Sequence, residues 1–168
     1  ISIDAANRAW MQGRTYRSQI LPGDVMGGYA LGKVIATNNN NFNIGDYVEG
    51  DLGWQNYAIR DAKELIKTSI KASENLHMSV LGITGKTAYF GLGLADLKKG
   101  ETVLISAAAG AVGNVAGQIA KIKGCKVIGI TSSDEKASWL KDVLGFDGVV
   151  NYCLLYTSDA ADDVRCVV

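Results

Sequence analysis

The chain has 168 residues, enough for one domain or two small ones, and its 48% hydrophobic and 20% charged content is that of an ordinary globular protein. Its 17 basic residues balance 17 acidic ones, so no bulk electrostatic pull toward nucleic acid or an anionic membrane is expected. No apolar run approaches the ~20 residues that span a bilayer, and no signal-peptide pattern is visible, which makes the cytoplasm the default compartment.

Cysteines are few (Cys125, Cys153 and Cys166), they form no Cys-x-x-Cys pair, and His77 is the single histidine. A zinc site wants three or four Cys, His or acidic ligands at characteristic spacings, so no metal site is expected. Cys125 opens an apolar run and reads as a small core residue.

The chain opens mid-pattern on Ile1 with no initiator methionine, so further residues are expected upstream. Pro22-Gly23-Asp24 is a turn signal. Tyr29 to Ala36 has strand character, with Gly32 as a bulge or a point of close approach. Asn38 to Asn41 is a polar loop, Ile44 to Gly50 a turn into a strand, and Gly53 to Ile59 a further strand whose aromatics read as core. Short strands at this spacing suggest a small β-rich unit. From Met78 the residues Val80, Leu81, Thr84, Ala88, Tyr89 and Leu92 recur with helical spacing. The glycines Gly82, Gly85, Gly91 and Gly93 weaken that helix unless something packs closely against it, whether a ligand or a sheet. A domain boundary falls between residues 75 and 98, giving a division into 1–77 and 78–152.

The most informative stretch is Thr102 to Lys121. Thr102 to Ser106 is a β-branched apolar run and reads as a strand covered on both faces. Ala107 to Gly110 is a turn of small residues. Val112, Val115, Ala116, Ile119 and Ala120 then form one apolar helix face, ending near Gly124. Lys126 to Ile130 is a second buried strand, so the whole is a βαβ unit. A helix N-terminus with unpaired N–H groups suits a phosphate. The small residues of a dinucleotide fingerprint fall on Ala108, Gly110 and Gly113, with alanine in place of the first glycine. A tight turn without a ligand is the alternative. NAD sites place an acid at the end of the second strand. Here that place is Thr131-Ser132-Ser133, followed by Asp134, Glu135 and Lys136. Hydroxyls and a nearby cation favour a 2′-phosphate, hence NADP, although Lys136 by spacing alone also reads as a solvated helix lysine. Ser132 and Glu135 fit a capping box for a helix running to Val143, with Gly145 as its stop. Phe146 to Tyr152 is a third strand.

Several motifs in order now point to a family: Ser2-Ile-Asp-Ala-Ala-Asn-Arg-Ala-Trp-Met, Gly45-Asp-Tyr-Val, Gly85-Lys-Thr-Ala-Tyr, Ala107-Ala-Ala-Gly-Ala-Val-Gly and Ser133-Asp-Glu-Lys. Residues 2–152 resemble the zinc-independent medium-chain dehydrogenase/reductases, in the branch of prostaglandin, leukotriene B4 and curcumin reductases. The resemblance implies an α/β fold: part of a GroES-like β-barrel, then the first part of a Rossmann domain with a parallel sheet. It implies NADPH-dependent reduction of the carbon–carbon double bond of enones and alkenals, without a metal. It assigns the pyrophosphate to Gly110, Ala111, Val112 and Gly113, the 2′-phosphate to Lys136, and the adenosine end to Tyr152. It sets Met26-Gly-Gly where zinc-dependent relatives carry Gly-His-Glu. It puts Thr87 and Tyr89 near the nicotinamide without a catalytic role, and it implies a homodimer for the complete enzyme. No catalytic residue is assigned. A quinone reductase of the same superfamily, or an NADPH-binding protein without catalysis, are the competing readings.

Cys153-Leu-Leu-Tyr-Thr-Ser-Asp-Ala-Ala-Asp departs from that pattern. It matches, residue for residue, the translation of the transposon sequencing adaptor TGT CTC TTA TAC ACA TCT GAC GCT GCC GAC. Residues 153–168 are therefore expected to be non-native, a large C-terminal part of the enzyme to be missing, and the 168-residue chain alone to lack turnover.

Overall fold

The computed structural model describes residues 1–70 and 73–154. Most of the segment expected to be non-native thus lies outside the described residues. The chain divides into two units, Ile1–Met78 and Ser79 onward.

In the first unit, helix α1 (Ala5–Gln12) leads to a three-stranded antiparallel sheet in the order β1 (Tyr29–Lys33), β2 (Tyr47–Asp51), β3 (Ile66–Thr68). A short helix α2 (Glu74–Met78) closes the unit. The Asn7 side chain fastens the start of α1, accepting from the Asp4 N–H at 2.7 Å and donating to the Gly27 carbonyl at 2.9 Å. Gly32 pairs in register with Val48, so it makes no bulge. A Cβ there would stand 2.8 Å from the Leu52 side chain, which makes Gly32 a point of close approach.

Residues 53–59 are not a strand. Gly53 takes a left-handed φ of +73°, and the Trp54 N–H turns back to the Met26 carbonyl at 2.8 Å. The run therefore bends away from any ladder, and its apolar side chains face outward: Trp54 is 41%, Tyr57 77% and Ile59 97% exposed.

In the second unit the expected βαβ unit is present and extended. Helix α3 (Ile83–Leu94) precedes β4 (Thr102–Ile105), α4 (Ala111–Ile122), β5 (Lys126–Thr131), α5 (Asp134–Asp142) and β6 (Gly148–Asn151). The strands form a parallel sheet in the order β4-β5-β6. Ala108, Ala120, Cys125, Val127, Leu140 and Phe146 make its core, and Ala88 of α3 packs on Val115 and Ala116 of α4. Phe146 settles the spacing between α4 and β5. Its ring lies where a Cβ on Gly117 would be, so that position needs glycine, and a Cβ on Gly129 would stand 2.9 Å from the Ala108 Cβ and 3.0 Å from the same ring.

Three expectations are corrected here. Strand β4 is not covered on both faces: Val103 and Ile105 pack on the core, but Leu104 is 63% exposed, because alternate side chains of an edge strand leave opposite faces. Helix α3 begins at Ile83, not Met78. The Ser79 carbonyl gathers the N–H groups of Gly82 and Gly85 and the Thr84 hydroxyl, so Val80 and Leu81 form a turn before the helix. The close approach at Gly85 is to this turn, since its Cβ would stand 2.9 Å from Val80 Cα. Gly91 and Gly93 have open space around them. The cap of α5 is Ser133, whose hydroxyl accepts from the Lys136 N–H at 3.3 Å, one residue later than the Ser132 expected from the capping-box spacing.

Candidate functional site

In a parallel sheet the strand ends that carry the connections to the next helices form one edge, and ligands of open α/β sheets sit there. All six candidate residues lie along that edge. Gly110 to Gly113 follow β4, Lys136 follows β5, and Tyr152 follows β6 in a short 3-10 turn, Tyr152–Leu154. Tyr152 therefore stands just past the strand expected to contain it. Among the described residues no hydrogen bond joins Lys136 or Tyr152 to the turn, so the common edge is what relates them.

The turn itself is tightly built. Ala107 adopts a left-handed φ of +46°, a conformation that costs an L-residue roughly 1–2 kcal/mol. The Gly110 N–H donates to the Ala107 carbonyl at 2.8 Å, and the Ala108 N–H donates to Ile130 of β5 at 2.9 Å. The strained residue is thus held on both sides. A Cβ on Gly113 would stand 2.9 Å from Ala108 Cα and still closer to the Ala107 carbonyl oxygen, so glycine is required there for the helix to approach its own turn. Gly110 is the N-cap of α4 and brings no side chain to its first N–H groups. Those of Ala111, Val112 and Gly113 have no intrahelical partner by geometry. Gly110, Ala111 and Val112 are exposed. An anion can therefore reach uncapped N–H groups at the positive end of a twelve-residue helix.

At the end of β5 the side chains are Thr131, Ser132 and Ser133, with acids only in the first turn of α5, at Asp134 and Glu135. The Lys136 side chain is exposed and has no ion-pair partner among the described residues. The Asn151 side chain donates to Asp134 Oδ1 at 2.8 Å, a contact with no signature in local spacing because the two residues are 17 apart. On α3, the Thr87 hydroxyl is engaged with the Ile83 carbonyl at 2.7 Å, and Tyr89 is 65% exposed, edge-on to Phe90.

In the first unit, Met26-Gly-Gly is packed in a way that suits glycine. The Arg17 guanidinium occupies the place of a Cβ on Gly27, and a Cβ on Gly28 would stand 2.8 Å from the Trp54 ring. Arg17 is in turn ion-paired with Asp51, whose Oδ1 accepts the Gly28 N–H at 2.9 Å. The same unit buries a polar cluster that the spacing of residues does not reveal. The Glu49 carboxylate accepts from the Tyr29 hydroxyl at 2.9 Å and is paired with His77. Burial alone would raise its pKa, but the hydrogen bonds from His77, Tyr29 and Thr68 outweigh that and hold it below the usual carboxylate value. Burial, and then the Glu49 carboxylate, push the Tyr29 phenol up to about 12. Among the described residues no group of three or more His, Cys, Asp or Glu could hold a metal ion. None of the described helices is long and apolar enough to cross a membrane.

Two family models match this chain: "N-terminal domain of oxidoreductase" over residues 1–68 and "Zinc-binding dehydrogenase" over residues 111–167. Prostaglandin reductase 1 of Mus musculus is 44% identical over 144 residues, covering 83% of this chain and 44% of that protein. The NADPH-dependent curcumin reductase of Escherichia coli is 37% identical over 150 residues, covering 88% of this chain and 44% of that one. The chain belongs to the zinc-independent medium-chain dehydrogenase/reductases. A solved structure of this family, CurA from Vibrio vulnificus in complex with NADPH, superposes with a TM-score of 0.79 at 38% identity, covering 90% of this chain and 46% of that one. The chain thus spans about half the length of the curated family members it matches.

Proposed function

We propose that this chain carries the cofactor-binding part of an NADPH-dependent oxidoreductase that reduces the carbon–carbon double bond of α,β-unsaturated carbonyl compounds, enones or 2-alkenals. The observation that carries this reading is the uncapped start of α4 beyond a strained small-residue turn, with a serine pair and a lysine in place of an acid beyond the neighbouring strand. The names of the reductases it resembles supply the substrate class.

The residues fit the cofactor. In this reading the N–H groups of Ala111, Val112 and Gly113, presented past Gly110, hold the pyrophosphate, and Gly110 keeps the approach free of a side chain. Lys136 pairs with the 2′-phosphate, and Tyr152 lies at the adenosine end. NADPH, when bound, would supply a hydride to the β-carbon of the substrate, and a proton taken up at the α-carbon would complete the reduction. The chain's part is to bind and orient, which lowers the entropic share of the barrier. The complete enzyme is taken to be a homodimer acting in the cytoplasm on a small-molecule substrate, with no nucleic-acid or membrane partner.

Two measurements test this. Lys136→Ala should weaken NADPH by roughly tenfold or more, the equivalent of one charge-assisted hydrogen bond, and leave NADH nearly unchanged. Equal effects on both cofactors would remove Lys136 from the 2′-phosphate. In the complete enzyme, NADPH consumption should be faster with an enone than with a quinone. The reverse order would favour a quinone reductase, and tight NADPH binding with no turnover of either would favour a non-catalytic binding protein.

A further inference from the structure

Asn151 is the last residue of β6 and stands opposite Thr131, the last residue of β5. The chain leaves β5 through Ser132 and Ser133 directly into α5, so the end of β6 lies beside the first turn of that helix. There the Asn151 amide is used at both ends. Its Nδ2 donates to Asp134 Oδ1 at 2.8 Å, and its Oδ1 accepts the N–H of residue 153 at 3.1 Å. The first bond fixes the carboxylate at the start of the turn that carries Lys136. The second closes the backbone around Tyr152. One side chain therefore reaches both the first turn of α5 and the turn after β6, the two places where the NADPH reading puts the adenosine end.

Charge makes this arrangement consequential. A 2′-phosphate beside Lys136 would also meet Asp134, two residues earlier in the same turn. A carboxylate near this strand end is what an unphosphorylated ribose uses to bind its hydroxyls. We propose that Asn151 is a specificity-determining positioning residue: by tying Asp134 to the end of β6 and bracing the turn at Tyr152, it favours adenosine carrying a 2′-phosphate over adenosine without one. The proposal rests on the reading of this edge as an NADPH site.

The test is calorimetric titration of the 168-residue chain with adenosine 2′,5′-bisphosphate and with adenosine 5′-monophosphate. The unmodified chain should prefer the bisphosphate. Asn151→Ala should reduce that preference by about 3- to 10-fold, the scale of one partly exposed bond to a charged group. Adding Asp134→Asn should restore the preference, because the released charge is gone even though the bond is not remade. A purely structural role for Asn151 would weaken both ligands alike and show no such rescue, and either result overturns the proposal. Asp134→Asn alone is the second variant, which guards against loss of fold in Asn151→Ala. It should keep or raise the preference, and a fall would also overturn the proposal. If the unmodified chain shows no preference, the NADPH reading itself fails and takes this inference with it. If only the variants disagree, the reading stands and the inference falls.

Discussion

Replacing Glu49 by glutamine removes a buried charge while keeping nearly the same shape. Glu49 Oε2 accepts from the Tyr29 hydroxyl at 2.9 Å and Oε1 is paired with His77, whose side chain is 13% exposed against 9% for Glu49. A hydrogen bond to a charged group contributes about 1.5–3 kcal/mol, and breaking a fully buried pair costs about 3–5 kcal/mol. With slight access to water, the loss near pH 6 should be about 2–3 kcal/mol. The pH dependence is the sharper test. The folded pKa of Glu49 lies below its ordinary 4.5. Its contribution is therefore present above that value and is lost as the pH falls through the folded pKa. The stability difference between the unmodified chain and Glu49→Gln should be fully present near pH 6 and smaller at pH 3.5. Urea unfolding followed by tryptophan fluorescence reads it. A Trp139→Phe background leaves Trp10 and Trp54, both in the first unit, as reporters. A difference below about 0.5 kcal/mol near pH 6, or one that is no smaller at pH 3.5, would refute the argument.

Gly113→Ala should weaken NADPH binding by roughly tenfold or more, since its Cβ would stand 2.9 Å from Ala108 Cα and the turn must shift away from its hydrogen-bonding geometry. Gly110→Ala, with 3.0 Å to the Ala107 oxygen, should be milder, and unchanged NADPH affinity in Gly113→Ala would remove the turn from the cofactor site. Phe146→Ala should destabilise the second unit by about 3–5 kcal/mol in urea unfolding, because its ring is 5% exposed and fills the space over Gly117 and Gly129. A loss under about 1 kcal/mol would mean that α4 collapses onto β5 without it. Sequencing the encoding DNA across the codons for Asn151 to Tyr156, from a library made without transposon adaptors, should show the frame continuing past Tyr152 into further strand–helix pattern. Recovery of Cys153-Leu-Leu-Tyr would make those residues native.

By itself, the sequence determined the βαβ unit, because every step of it is local. The run Thr102–Ile105 has strand character, the residues from Val112 to Ala120 keep one apolar face, and Gly124 and Gly145, both left-handed, stop α4 and α5. The small-residue turn was legible for the same reason: its chemistry lies in consecutive residues. What only the tertiary structure decided were features made by partners distant in the chain. Gly53 to Ile59 has strand composition, yet the bond from Trp54 to Met26 bends it out of the sheet. Ser132 and Ser133 are equivalent as caps by composition, and the direction in which the chain leaves β5 selected the second. That Phe146 makes glycine necessary at Gly117 and crowds Gly129 depends on the loop before β6 packing against a helix and a strand. The pairs Glu49–His77 and Asn151–Asp134 are 28 and 17 residues apart. No periodicity joins them, because each pair links a strand residue to a helix that the chain brings back beside it.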